Sequence, residues 1–470
     1  MPALLIEMKK ESEVKDKLSK NKREVDVIIA LAVFAIGIVA SIVFDFTLVI
    51  PMAIGYAAFA LVAVGRGNTV SEVASMSGKG FKDALIVASV ILMIGLVTGT
   101  WRSGGVIALF VNLGIQMIRP EIFVLLAFIL CCIFSYAMGT SFGVVGTLGI
   151  ILMSLARAGD VDTAVIAGAI LSGAYFGDRF SPVSSSMLLT AAVTGTKPEK
   201  NLPLMAKTMI LPVFLSLVAY TILSVNNPIS HVDESIAAQI RNTFTLNWIV
   251  ALPAVLMIVL PLLKVKVKWA VLTSAVAAFI LTIVCQHTSF VMALKYAVFG
   301  YEGKGAAGEI FSGGGVLSMV EVCAIILISC SYSTVIEETK MFEGLGNILE
   351  KGCRKTSRAF MTFISGLGFS AVFCNQSVAT IMCAIMLDEP YKKMGGDRQE
   401  LAIDIENTTI ITTAWIPWSI FMAVPRQMLG APMQCMLFAV FIFLMPVCHL
   451  LTKSLIWPRI YRPEKNQKNQ

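Results

Sequence analysis

Four short polar clusters break up long apolar stretches of this chain: Gly139-Thr-Ser-Phe-Gly143, Gly177-Asp-Arg-Phe-Ser-Pro-Val-Ser-Ser-Ser186, the stretch opened by Phe373-Cys-Asn-Gln-Ser377, and the run 404–418. Non-helical backbone at membrane depth is tolerated only where protein buries it or where it lines a cavity. Carbonyls freed at such breaks can coordinate cations, and N–H groups at half-helix N-termini attract negative charge. Thr140, Ser141, Ser184, Ser185, Ser186, Asn375, Gln376, Ser377, Thr408, Thr412 and Thr413 add hydroxyl and amide oxygens, the ligands that a hard cation such as Na+ prefers. Taken singly, each hydroxyl is equally well explained by a bond to a neighbouring carbonyl. The four clusters together point to a binding site.

Among the charged residues, Asp178 stands out. It ends the apolar run 164–177 and precedes Pro182. A carboxylate inside a membrane costs about 3 kcal/mol or more, so its presence marks a functional position by default. It is a candidate proton carrier and, with Ser184 and Asn375, a candidate Na+ ligand. The bland alternative is a structural pair with Arg179. Glu406 is the second candidate, with Thr412 nearby in the same run. Asp404 reads more readily as a charge at a helix end. Glu321 lies inside the apolar run 317–335, whereas Glu337 and Glu338 read as a solvated helix end. Gly139-x-Ser141-x-Gly143 also fits a hydrolase nucleophile elbow, but that motif needs a strand-turn-helix setting and a histidine base. No enzymatic role is expected, and no cofactor beyond a coupling ion, Na+ and/or H+.

The elements that must position these residues are helices in a bilayer. Hydrophobic residues make up 57% and charged residues 14% of the chain, and mean hydropathy is +0.80. A soluble domain is about one quarter charged, so this composition excludes an ordinary soluble protein. The net charge of +7 sits in tails and loops, as membrane orientation requires, and does not signal nucleic-acid binding. Ten cysteines are scattered without a Cys-x-x-Cys pair, and His231, His287 and His449 form no metal motif. Apolar segments run over 25–46, 47–66, 83–101, 203–224, 244–263, 267–285, 317–335 and 432–453, with interrupted ones at 121–156, 162–195, 359–386 and 400–424.

The chain also matches itself when one half is laid over the other at a constant offset. Ser77, Gly78 and Gly80 meet Ser312, Gly313 and Gly315. Arg119 meets Arg354, Phe134-Ser135 meets Phe369-Ser370, Ala167 and Ile170 meet Ala402 and Ile405, and Pro182 and Ser184 meet Pro417 and Ser419. Duplication of a Gly-broken apolar chain is a mark of secondary transporters. Basic residues cluster at 9–23, in a loop with Arg66, Lys79 and Lys82, at Lys197/Lys200, Lys264–Lys268, Lys340–Arg358 and Lys392–Arg398, and after Lys453. This distribution favours an all-α polytopic membrane protein built of two inverted repeats, each of five transmembrane helices with a re-entrant hairpin and a broken helix: about ten crossings plus two hairpins. The expected organisation is a cytoplasmic tail 1–24, with no signal peptide, repeat 1 at 25–224, an external linker 225–243, repeat 2 at 244–455 and a cytoplasmic tail 456–470.

At the clusters the chain resembles the NhaC-type Na+/H+ antiporter family. The resemblance rests on Gly139-Thr-Ser-Phe-Gly-Val-Val-Gly-Thr147, on the stretch from Ala167 through Gly177-Asp-Arg-Phe-Ser-Pro-Val-Ser184, and on Glu406 and Ile416-Pro-Trp418. It implies a secondary transporter of the cytoplasmic membrane that exchanges Na+ for H+ by alternating access, with Asp178 and Glu406 as ion-loading carboxylates. Some members carry organic acids. The chain departs from the family's acidic pattern at Ser185, Asn375 and Asn407, which leaves fewer carboxylates to balance a cation. Coupled transport of an amino acid or carboxylate is therefore the alternative, and a passive channel the more distant rival. The expected partners are the lipid bilayer, a small cation or organic substrate, and a second copy of the chain, with no nucleic acid.

Overall fold

The computed structural model describes residues 25–41, 44, 46–117, 120–228, 234–263, 265, 267–303, 310–342 and 345–460. The tail 1–24, Arg119, Lys264, Lys266, His231, part of the 225–243 linker and the tail beyond 460 lie outside them. Almost every described residue is helical, and an isolated bridge between Tyr301 and Gly313 is the one β pairing among them. Among the described residues, four helices are long and apolar enough to cross a membrane: Val70–Ser103, Ser141–Ala158, Pro198–Asn226 and Val316–Glu338. A fifth span forms if Arg398–Trp415 and Ile420–Leu429, bent by 55°, count as one. Shorter apolar helices, among them Val25–Ser41, Val49–Gly65 and Arg358–Phe373, accompany them. Ile210, Phe214 and Ile222 on Pro198–Asn226 are 68%, 60% and 57% exposed, an apolar outer face suited to lipid. The protein is an all-α polytopic membrane protein.

One expectation about a loop needs correction. Lys79 and Lys82 lie within the helix Val70–Ser103, which starts well before the expected residue 83, because a capping box opens it there: Thr69 Oγ1 accepts from the Glu72 N–H and the Glu72 carboxylate accepts from the Thr69 N–H. Lys79 meets Glu338 at 2.9 Å. The linker 225–243 contains the helix Glu234–Thr243.

The chain divides into two compact units, one within 1–88 and 324–348, the other within 89–323 and 349–470. In the first, Phe34, Phe59 and Tyr332 form an aromatic cluster with centroids 5.5 to 6.2 Å apart. There Gly80 lies so close to the Cys330 carbonyl that a Cβ would sit 2.3 Å from its oxygen.

The second unit holds all four polar clusters. Its helices include α1 (Phe123–Met138), α2 (Ser141–Ala158), α3 (Thr163–Phe180), α4 (Ser185–Thr194), α5 (Pro198–Asn226), α6 (Arg358–Phe373), α7 (Gln376–Lys393), α8 (Arg398–Asn407), α9 (Ile420–Leu429) and α10 (Val440–Ile460). Adding 235 to the ends of α1, α2 and α4 gives the ends of α6, α7 and α9. The same shift carries α3 onto Arg398–Trp415. The caps recur too. Gly139 and Cys374 close α1 and α6 at φ 64° and 56°. Thr140 and Asn375 cap the next helices, Asp162 and Asp397 cap α3 and α8, and Ser184 and Ser419 cap α4 and α9. The breaks after α1 and α6 are thus a left-handed residue followed by a side-chain N-cap, the local chemistry that stops one helix and starts another. The copies differ in places: α2 has a π-helical turn at Val145–Gly149 where α7 is continuous, and α3 is continuous through Asp178, whereas its counterpart is broken at Thr408 (φ −123°, ψ −73°) and continues as the turns Thr409–Thr412 and Thr413–Trp415.

Helices α1 and α3 touch backbone to backbone. A Cβ on Gly177 would lie 2.0 Å from the Ser135 carbonyl carbon, and one on Gly173 would lie 2.6 Å from the Phe128 carbonyl oxygen. This small-xxx-small spacing lets membrane helices close tightly. Since the obstacle is backbone, Gly177→Val should destabilise by about 2 kcal/mol or more. The check is a fall in detergent melting temperature, while Gly78→Ala, which meets open space, leaves it unchanged.

Candidate functional site

Asp178 lies near the C-terminal end of α3 and is 4% exposed. Its Oδ2 accepts from Ser186 Oγ and from Gln376 Nε2, both at 3.3 Å, and the Ser141 backbone N–H also donates to the carboxylate. Ser141 and Gln376 are the first residues of α2 and α7, so the N-terminal ends of two half-helices, one from each half of the chain, converge on one carboxylate. Unsatisfied N–H groups and the helix dipole make such ends favourable for negative charge. Gln376 ties the arrangement together: its Oε1 accepts from Ser186 at 3.0 Å, and its Nε2 also donates to the Ile410 carbonyl at 2.9 Å, in the broken segment after α8.

Glu406 is 1% exposed, and neither carboxylate oxygen meets a hydrogen-bond donor. The Thr190 hydroxyl is near, but its proton goes to the Ser186 carbonyl at 3.0 Å. Asp178 and Arg179 both act on Glu406 electrostatically. A buried carboxylate with no donor is costly, and only a proton, a cation or a rearranged donor relieves it. The hydroxyls of Ser141 and Thr380 are likewise buried without a partner.

Arg179 does not pair with Asp178. Consecutive helix residues point in different directions, and the Arg179 guanidinium, fully buried, turns to Asn407 and Thr208. From Asn407 a hydrogen-bonded chain continues: Asn407 Nδ2 to His449 Nδ1 at 2.9 Å and His449 Nε2 to Asp404 Oδ1 at 2.7 Å, while Asp404 Oδ2 accepts from Tyr391 Oη at 2.6 Å and from Lys453. Lys453 also meets Glu400 at 2.7 Å, and Glu400 pairs with Arg358 at 3.0 Å.

The structure brings Asp178, Gln376 and Ser186 into contact, with the Ser141 backbone on the same carboxylate and Glu406 within electrostatic reach of Asp178. It places other expected residues elsewhere. Ser185 is exposed, one residue from the serine that reaches Asp178. The Ser184 hydroxyl bonds the Asp178 main-chain carbonyl and caps α4. Thr140 and Asn375 spend their side-chain oxygens capping α2 and α7, and Ser377 is exposed. Thr408, Thr412 and Thr413 bond carbonyls within their own segment. Asp404 lies in the last turn of α8 but is fully buried in the network rather than exposed as a capping charge, and Glu321 is exposed in the first helical turn. Ser141 follows helix α1, so the strand-turn-helix of a hydrolase elbow is not formed there. His449, Thr190 and Thr208 carried no sequence signal, because their partners are 42, 4 and 199 residues away in chains of contacts without a motif.

These roles differ in what they cost to remove. Asn375→Ala should cost about 1 kcal/mol of stability, the value of an N-cap. Gln376→Ala strips a donor from Asp178 and the Ile410 carbonyl together and should cost more, about 2 to 3 kcal/mol. Chemical denaturation of the two variants side by side checks the order.

The model of the Na+/H+ antiporter family matches this chain over residues 23–206 and again over 173–453. The chain is a member of the Na+/H+ antiporter family. It is 26% identical over 402 residues to the malate-2H+/Na+-lactate antiporter of Bacillus subtilis, covering 82% of this chain and 86% of that one. It is 23% identical over 383 residues to the Na+/H+ antiporter NhaC of Alkalihalophilus pseudofirmus, covering 79% and 82%. It is 24% identical over 381 residues to the arginine/ornithine antiporter ArcD of Halobacterium salinarum, covering 78% of each chain. The Na+/H+ antiporter family is a family of transporters, and this member is an antiporter-type secondary transporter.

Proposed function

We propose that this antiporter exchanges Na+ for H+ across the cell membrane, with Asp178 and Glu406 as the groups that load one ion or the other. The observation that carries the reading is Glu406: a buried carboxylate without a donor, in electrostatic reach of Asp178. Two buried carboxylates, one of them without a donor, favour a bound cation or bound protons, and the same groups cannot be fully satisfied by both. The oxygen-rich surroundings suit Na+ and the site needs no cofactor. The helix bounds shared between the two halves support two repeats of one unit, which we place in inverted orientation with both termini cytoplasmic. Alternating access then comes from rocking of one bundle against another around a site near the bilayer midplane, with a second copy of the chain as a neighbour in the membrane.

A second reading, carriage of a small organic acid or amino acid coupled to Na+ or H+, is favoured by Arg179. A buried guanidinium beside the site, held by the neutral Asn407, is the type of group that receives a carboxylate. The relatives named for malate, lactate, arginine and ornithine make those compounds the panel to use. Thermal stabilisation of the purified protein by Na+ or Li+ alone supports the first reading. Stabilisation that requires a panel compound supports the second, and flux that neither saturates nor shows counterflow would reject both in favour of a channel.

A further inference from the structure

The amide of Asn407 is oriented by its neighbours. Its Oδ1 accepts from Nε and Nη2 of Arg179, and a guanidinium can only donate. Its Nδ2 therefore faces Thr208 Oγ1 at 3.3 Å and His449 Nδ1 at 2.9 Å. That ring nitrogen must accept, so the network assigns His449 the neutral tautomer with its proton on Nε2, donated to Asp404. A second proton on Nδ1 would face an N–H and could not be accommodated in this arrangement. The amide would have to turn, presenting Oδ1 to the imidazolium and Nδ2 to the guanidinium. Arg179 would then meet a donor where it had an acceptor. Its alternative is Glu406, a carboxylate in its electrostatic reach that no donor holds.

We propose that His449 is a proton-operated switch that decides, through the Asn407 amide, whether Arg179 stays on Asn407 or closes onto Glu406. With His449 neutral, Glu406 is open to an ion. With His449 protonated, Arg179 occupies Glu406 and cation binding is lost. His449 thus acts as a positioning residue, apart from the ion-loading carboxylates.

The charged groups that act on the His449 ring are Asp404 from α8, Lys453 from its own helix α10, and Arg179 from α3. Tyr391 from α7 reaches it through Asp404, and Arg358 from α6 through Glu400 and Lys453. Lys453, Glu400 and Arg358, at the far end of the network, line a pocket together with Ser357. The departure from the family's acidic residue at position 407 becomes specific here. Only an amide has one end for Arg179 and the other for His449, so only an amide makes the two exclusive.

This proposal rests on Glu406 as an ion-loading group. The test is the Na+ concentration needed to stabilise the purified protein thermally, measured between about pH 5 and pH 8, for the wild type, His449→Gln and Asn407→Asp. The neutral glutamine can keep both hydrogen bonds of the neutral ring but cannot take the proton. We expect His449→Gln to match the wild type at the alkaline end and to need about ten-fold less Na+ at the acid end, the effect of removing one linked proton over one pH unit. Asn407→Asp, which keeps Arg179 paired at every pH, should flatten the same acid limb and decides the matter if the histidine variant does not fold. Identical acid limbs in the wild type and the folded variants would overturn the switch alone. Failure of Na+ to stabilise the wild type at any pH would remove the Glu406 reading and the switch with it.

Discussion

Asp178→Asn should abolish ion-coupled exchange in proteoliposomes while leaving insertion and folding intact. The carboxamide has the shape of the carboxylate, and its oxygen can still accept from Ser186 and Gln376 at the positions now 3.3 Å from Oδ2. What disappears is the charge on which the ends of α2 and α7 converge. Removing one partner from a desolvated, hydrogen-bonded charge costs about 2 to 5 kcal/mol, and a ten-fold change in affinity corresponds to about 1.4 kcal/mol. The expected loss in apparent Na+ affinity is therefore at least about 30-fold, with a melting temperature in the Na+-free protein within a few degrees of the wild type. A variant that folds and exchanges at the normal rate would remove Asp178 from the mechanism.

Glu406→Gln is expected to separate stability from function in the opposite sense. Neither Glu406 oxygen accepts a hydrogen bond, so the amide forfeits none, and the cost of a buried unpartnered charge is relieved. Arg179 keeps both of its bonds to Asn407. The Na+-free variant should be as stable as the wild type or more stable, by about 1 kcal/mol, and Na+ should no longer stabilise it. An ordinary structural acid behaves the other way: its neutralisation destabilises the protein and leaves the response to Na+ in place. Melting curves with and without Na+ separate the two cases.

Much of the scaffold was legible because its punctuation is local. Gly139, Pro182, Asn375 and Pro417 mark the breaks, and caps and left-handed residues act within three or four residues of themselves. The constant offset read from identities such as Phe134-Ser135 and Phe369-Ser370 reappears as shared helix ends, since the pairs sit near the ends of α1 and α6. The site was legible only in outline. Asp178, Glu406, Ser141 and Gln376 were singled out because an apolar setting makes any charge or amide conspicuous. Which serine faces Asp178 depended on the turn at Ser184: as the cap of α4 it puts Ser186 inward and Ser185 outward. The direction of Arg179 depended on its rotation of about 100° from Asp178 around α3. His449 lies 42 residues beyond Asn407 on another helix, and no spacing rule connects a residue of α8 with one of α10. Its role appeared only from the donor and acceptor pattern around one amide.

The direct test of the account is whether Na+ and H+ compete for the same two carboxylates. Purified protein in weakly buffered solution with a pH-sensitive dye is given Na+ near neutral pH. The account predicts a release of protons that saturates with Na+ and is absent from the Asp178→Asn/Glu406→Gln double variant. Na+ binding without proton release, or release that persists in the double variant, would contradict it.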